Sequence, residues 1–163
     1  MYVPFEQLPP YSRVWVYQIN RPLTEGEEAR MNGLLQDFVT EWSSHGRDLQ
    51  ASFSIKEHHF LFLATNEEVA SASGCSIDKS VAFLRQLEQE FNVQLFDRTQ
   101  LAFRQEGGVR TLPLARIKAE VAAGALSPDS LYFDTLIPTV GALQEQWPKP
   151  AKDTWLARYF QGQ

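Results

Sequence analysis

The chain has 163 residues, 44% of them hydrophobic and 12% aromatic, with 15 basic and 20 acidic side chains and a formal charge of -5. That is enough apolar material for one domain with a core, while the acidic balance argues against a nucleic-acid or acidic-membrane binder working by phosphate neutralisation. No apolar run reaches about 18 residues, so no membrane span is expected.

Met1-Tyr2-Val3-Pro4-Phe5-Glu6 lacks the basic start and apolar stretch of a secretory signal, which predicts a cytoplasmic location. A single cysteine, Cys75, agrees with that, since it cannot close an internal disulfide.

The proline-rich opening to Pro10 reads as an extended arm. Val14 to Ile19 is an apolar run of β-formers, the pattern of a central strand. Thr24 and Glu27 form a capping-box pair, and Met31, Leu34, Leu35, Phe38, Val39 and Trp42 mark one helix face, with Gly46 placed just past its end. Ala51, Phe53 and Ile55 alternate with polar residues, a turn follows at Glu57-His58, and Phe60 to Ala64 completes a hairpin.

After a loop from Asn66 to Gly74, the residues Ile77, Val81, Leu84, Leu87 and Phe91 predict a second helix, and Val93 to Phe96 a further strand. Leu101 to Phe103 and Val109 to Thr111, joined across Gly107-Gly108, predict a hairpin extending the same sheet. Beyond it, Leu114, Ile117 and Val121 suggest a helix stopped by Gly124, Val140, Leu143 and Trp147 another stopped by Pro148, and Trp155 to Tyr159 a last turn.

Strand, helix, strand, strand, helix, strand is the order of an α+β fold with a ferredoxin-like split βαβ core, here with an extra hairpin and a C-terminal helical extension. The expectation is one domain, in which residues 1–10 are the arm, 11–111 the α+β core and 112–163 the helical extension.

Trp42, His45-Gly46, Phe60-Leu61, the string Ser73-Gly74-Cys75-Ser76-Ile77-Asp78-Lys79-Ser80, Phe133-Asp134-Thr135 and Trp147 together resemble an uncharacterised bacterial family of similar length. Its members are often labelled ABC transporter ATPases, but the resemblance implies no activity. A phosphate-cradling loop needs Gly-x-x-x-x-Gly-Lys-Ser/Thr, and this chain has no Gly-Lys dipeptide.

The Ser73–Ser80 string is the candidate site. A helix starting here would offer backbone N–H groups and a partial positive charge to a small anion, with Ser73, Gly74, Ser76, Asp78 and Lys79 as binding residues and Arg85 nearby. The same position could lower the pKa of Cys75 and make it a catalytic or redox thiol, although free cysteines are more often buried packing residues.

A nucleophile needs a base, and only His45, His58 and His59 could supply imidazole. In a split βαβ fold the two helices are expected to run roughly parallel, so His45 at the end of the first need not lie near Cys75 at the start of the second. His58-His59 would point to opposite faces of a strand, and no spacing of Cys and His predicts a metal. The acidic groups Glu25/Glu27/Glu28 and Glu67-Glu68 read as a solvated helix start and a loop.

No cofactor is implied. The expected activity is that of an interaction or small-anion-binding module centred on this strand-to-helix turn, with a small anionic ligand or a protein as partner and a thiol-dependent enzyme as the alternative.

Overall fold

A computed structural model of the chain describes residues 1–162. It is a mixed α+β protein whose contacts group into two compact units, Met1–Phe96 with Thr135–Gln144, and Asp97–Asp134 with Glu145 onward.

The first unit contains β1 (Arg13–Gln18), α1 (Glu25–Glu41), the two-residue strands β2 (Ser43–Ser44) and β3 (Arg47–Asp48), β4 (Ala51–Lys56), β5 (Phe60–Thr65) and α2 (Gly74–Phe91). Its main sheet is antiparallel in the order β1, β5, β4, with Arg13 and Ala51 both opposite Thr65, and Gln18 and Lys56 both opposite Phe60. The central strand is therefore β5, buried along its whole length, and β1 is an edge strand rather than the expected central one. An unbroken apolar run reports that both faces of a strand are covered. It carries no information about its edges.

Val93 to Phe96 forms no strand, contrary to expectation. The reason lies at the end of α2, where Asn92 turns left-handed and the Val93 N–H bonds the Glu88 carbonyl at 3.1 Å. The Leu95 N–H donates to the Glu88 carboxylate at 2.8 Å, so amides that a sheet edge would use are committed to closing the helix. Phe96 packs edge-on against Tyr17, with the Arg85 guanidinium over its ring at 4.1 Å.

One face of the sheet carries Tyr17, Leu61 and Leu63 into a core shared with Met31, Leu35 and Val39 of α1 and Leu84, Leu87 and Phe91 of α2. The two helices run antiparallel, which corrects the parallel arrangement expected: Trp42 at the end of α1 meets Ser76 at the start of α2, and Arg30 meets Glu90 at the opposite ends.

The capping box forms as read. The Glu27 N–H donates to Thr24 Oγ1 at 3.1 Å and the Thr24 N–H to Glu27 Oε1 at 3.0 Å. Arg21 forks onto both Glu27 oxygens at 2.8 and 2.7 Å and also donates to the Phe91 carbonyl at 2.6 Å, tying the start of α1 to the end of α2. This guanidinium, helped by the Thr24 amide, holds the Glu27 carboxyl at about 2 instead of the ordinary 4.5.

A depressed carboxylate stabilises the fold fully above its unfolded pKa and loses that contribution as pH falls toward the folded one. Stability should therefore decline from about pH 4.5 down to about 2, and Glu27→Gln should flatten that part of the curve in an acid titration followed by circular dichroism.

Gly46 does not close α1. The helix ends at Glu41 with Trp42 as its cap, and His45 and Gly46, at φ 51° and 76°, make the turn between β2 and β3.

The second unit has its own sheet, in the order β7 (Gly108–Pro113), β6 (Gln100–Gln105), β8 (Leu131–Tyr132) and β9 (Lys149–Pro150). The predicted hairpin is present as β6 and β7, turning through Glu106 and Gly107, but it does not extend the first sheet. The short helix α3 (Ile117–Ala122) ends before Gly124, whose φ of 78° favours glycine. Leu101, Phe103, Leu112, Ile117, Val121, Tyr132 and Leu156 form a separate core. Among the described residues of 112–163 are the short strands β8 and β9 and a 3-10 turn, Trp155–Phe160, besides α3 and α4 (Val140–Glu145).

Among the described residues, no helix is long and apolar enough to cross a membrane.

Candidate functional site

Ser73 begins α2. Its side chain accepts from the Ser76 N–H at 3.2 Å, which makes it the N-cap, and the Ile77 N–H bonds the Ser73 carbonyl at 2.9 Å. Of the amides expected to hold an anion, those of Ser76 and Ile77 are already used. Gly74 and Cys75, in the first turn, keep theirs without a partner among the described residues.

The buried stripe of α2 is shifted by one residue at this end. Ser76 and Ser80 are buried in place of the half-buried Ile77 and Val81, and each serine hydroxyl bonds back to a carbonyl, Ser76 to Ser73 at 2.8 Å and Ser80 to Ile77 at 2.6 Å. Small side chains here let the Trp42 indole lie against the helix, where its Nε1–H donates to the Ser76 carbonyl at 2.8 Å. Hydropathy alone favours the isoleucine and the valine. The signal that could have located the true face is the serine pair four residues apart.

Cys75 is exposed, as are Gly74, Asp78 and Lys79. Arg85 lies farther along α2, paired with Glu88 at 2.9 Å as well as stacked on Phe96. His58 sits at the opposite end of α1 from Cys75, with Nδ1 2.5 Å from Glu28 Oε2. From Glu28 to Trp42 the helix rises about 20 Å, so His58 cannot reach the thiol. His59 is half-buried with Nδ1 3.4 Å from the Ile19 carbonyl, and burial lowers its pKa.

His45 is exposed in the β2–β3 turn, at the end of the helix pair where Cys75 lies, but no hydrogen bond or ion pair joins them among the described residues. Glu67 meets Arg13 at 3.5 Å and Glu68 accepts from the Tyr11 hydroxyl at 2.6 Å, so both acids lie with the N-terminal segment. No group of three or more His, Cys, Asp and Glu among the described residues is placed to hold a metal.

The accessible thiol gives a direct prediction. A thiol reagent should label Cys75 in the native protein without denaturant, and His45→Ala should leave the labelling rate unchanged; a severalfold slower reaction in that variant would revive a paired nucleophile.

Beside this turn, between α1 and α2, runs an apolar groove of about 320 Å³, lined by Leu34, Phe38, Trp42 and Phe83, with Asp37, Glu41, Ser43 and Lys79 at its margins. Leu34 and Phe38 belong to the helix face predicted as core, yet both stay half-exposed while Met31, Leu35 and Val39 are buried. Phe38 packs tilted against Phe83, with ring centroids 4.5 Å apart, and meets Trp42 edge-on at 5.2 Å, so the groove wall is a continuous aromatic surface. Asp37 and Glu41 stand one turn apart on α1, exposed and without a partner among the described residues.

The sequence showed these residues as a helix stripe. That part of the stripe remains open to solvent could be read only from the position of α2.

Comparison of the chain with protein families, with curated proteins and with solved structures finds no match.

Proposed function

We propose that the chain is an interaction module that docks a protein partner in the groove between α1 and α2, beside the Ser73–Ser80 turn. The observation that carries this reading is the aromatic wall in which Phe38 and Phe83 are half-exposed and backed by the buried Trp42, flanked by charged residues. An apolar centre with a polar rim is the composition of a docking patch.

The competing chemistries have less behind them. A small anion at the turn is left the amides of Gly74 and Cys75 with Lys79 as a nearby cation, and a thiol enzyme has an accessible Cys75 without a positioned base. In the same reading, the first unit is a split βαβ core of the ferredoxin-like kind whose fourth strand is replaced by the Val93–Phe96 segment, and the chain is a member of the bacterial family that the Ser-Gly-Cys-Ser-Ile-Asp string resembles.

Linear peptides selected from a random library on the intact protein test the docking reading. They should shift amide resonances of Leu34–Ser43 and Lys79–Phe83, and they should lose binding to a Phe83→Glu variant whose circular dichroism is unchanged. Peptides that map elsewhere, or bind that variant equally well, would overturn it.

A further inference from the structure

We propose that the segment received by this groove is a short amphipathic helix with a basic flank, an inference that rests on the docking reading above. The first argument is dimensional. From Leu34 to Trp42 the α1 wall rises by about 12 Å of helix, and α2 adds one turn from Lys79 to Phe83. That length receives two apolar side chains one turn apart, the i and i+4 positions of a helix, and the furrow between two packed helices is the surface into which a third helix fits its ridge.

The second argument is charge. Asp37 and Glu41 form a pair of carboxylates along the α1 rim without a partner among the described residues. The first unit as a whole holds thirteen acidic and seven basic residues, a net charge of -6, whereas the second holds seven acidic and eight basic, a net of +1. A basic segment is attracted to this unit and an acidic one repelled.

Lys79, the charged residue that α2 contributes to the groove margin, also fixes the orientation. The partner's lysines or arginines lie on the α1 side of its apolar stripe, and its neutral or acidic residues on the α2 side.

Two capped helical peptides of about 16 residues provide the test, each with leucines at i and i+4. One carries lysines along one flank and the other carries glutamates at the same positions. Titrated into the isotopically labelled full chain at low salt, the lysine peptide should perturb the amides of Leu34–Ser43 and Lys79–Phe83 and bind at least about tenfold more tightly than its glutamate counterpart. The double variant Asp37→Lys, Glu41→Lys should reverse that preference, and added salt should weaken it.

Equal or tighter binding of the glutamate peptide in the groove overturns the charge assignment and leaves docking intact. If neither peptide perturbs these amides while library-selected linear peptides do, the helical occupant is wrong. Failure of both kinds of peptide at the groove removes the docking reading as well.

Discussion

Trp42→Ala should lower the unfolding free energy by about 3–5 kcal/mol, the range for removing a large buried aromatic side chain. The indole is 3% exposed, packs against Trp15 and Phe38, and ties the cap of α1 to the first turn of α2 through the Ser76 carbonyl. Trp42→Phe retains most of the packing and loses the N–H donor, so it should cost about 1–2 kcal/mol. Urea denaturation followed by far-ultraviolet circular dichroism separates the two contributions. If phenylalanine cost as much as alanine, the hydrogen bond rather than the ring would be the main link. If alanine cost under about 1 kcal/mol, Trp42 would not anchor the helix pair.

The second large effect is expected in the other unit. Phe103 is 4% exposed on β6, opposite Arg110 on one side and Tyr132 on the other, with its ring 5.3 Å from that of Tyr132. Burial pushes the Tyr132 hydroxyl well above its ordinary pKa, as expected of an aromatic layer that excludes water. Phe103→Ala opens a cavity between the hairpin and β8 and should cost about 3–5 kcal/mol in the same denaturation experiment. The variant should also make the Tyr132 ring more accessible, which ultraviolet difference spectroscopy at alkaline pH would register as phenol ionisation at lower pH than in wild type.

Periodicity revealed the elements well and their neighbours poorly. The capping box at Thr24, the hairpin turn at Glu57-His58 and the stop at Gly124 were legible because each depends on a few adjacent residues whose chemistry is local. Val93 to Phe96 was misread because nothing local signals that the Glu88 carboxylate will take the Leu95 amide. The second hairpin was assigned to the wrong sheet because pairing partners depend on the path of the whole chain, and the alternation in Leu101, Phe103 and Leu112 is the same whichever sheet receives it.

The site was legible to the same degree. Its turn was located as a helix start, and Ser73 supplies the cap. The groove beside it was invisible, because a half-exposed Phe38 and a buried Val39 look alike in one dimension.

The position of β5 between its two partners also sets an order in time. The β4–β5 hairpin closes through a tight turn between Lys56 and Phe60, whereas β1 reaches the same strand from 42 residues away at Gln18↔Phe60 and 52 at Arg13↔Thr65. Loop closure over such a span is entropically slower than a hairpin, so β1 has to find a strand that its neighbour has already joined. Substitutions in the Glu57-His58 turn should therefore alter the rate of folding, and substitutions on β1 chiefly the rate of unfolding. The helix α1 packs chiefly on β4, a member of that hairpin, so its Phe38 surface has its support before β1 arrives, and β1 then adds Trp15 against Trp42.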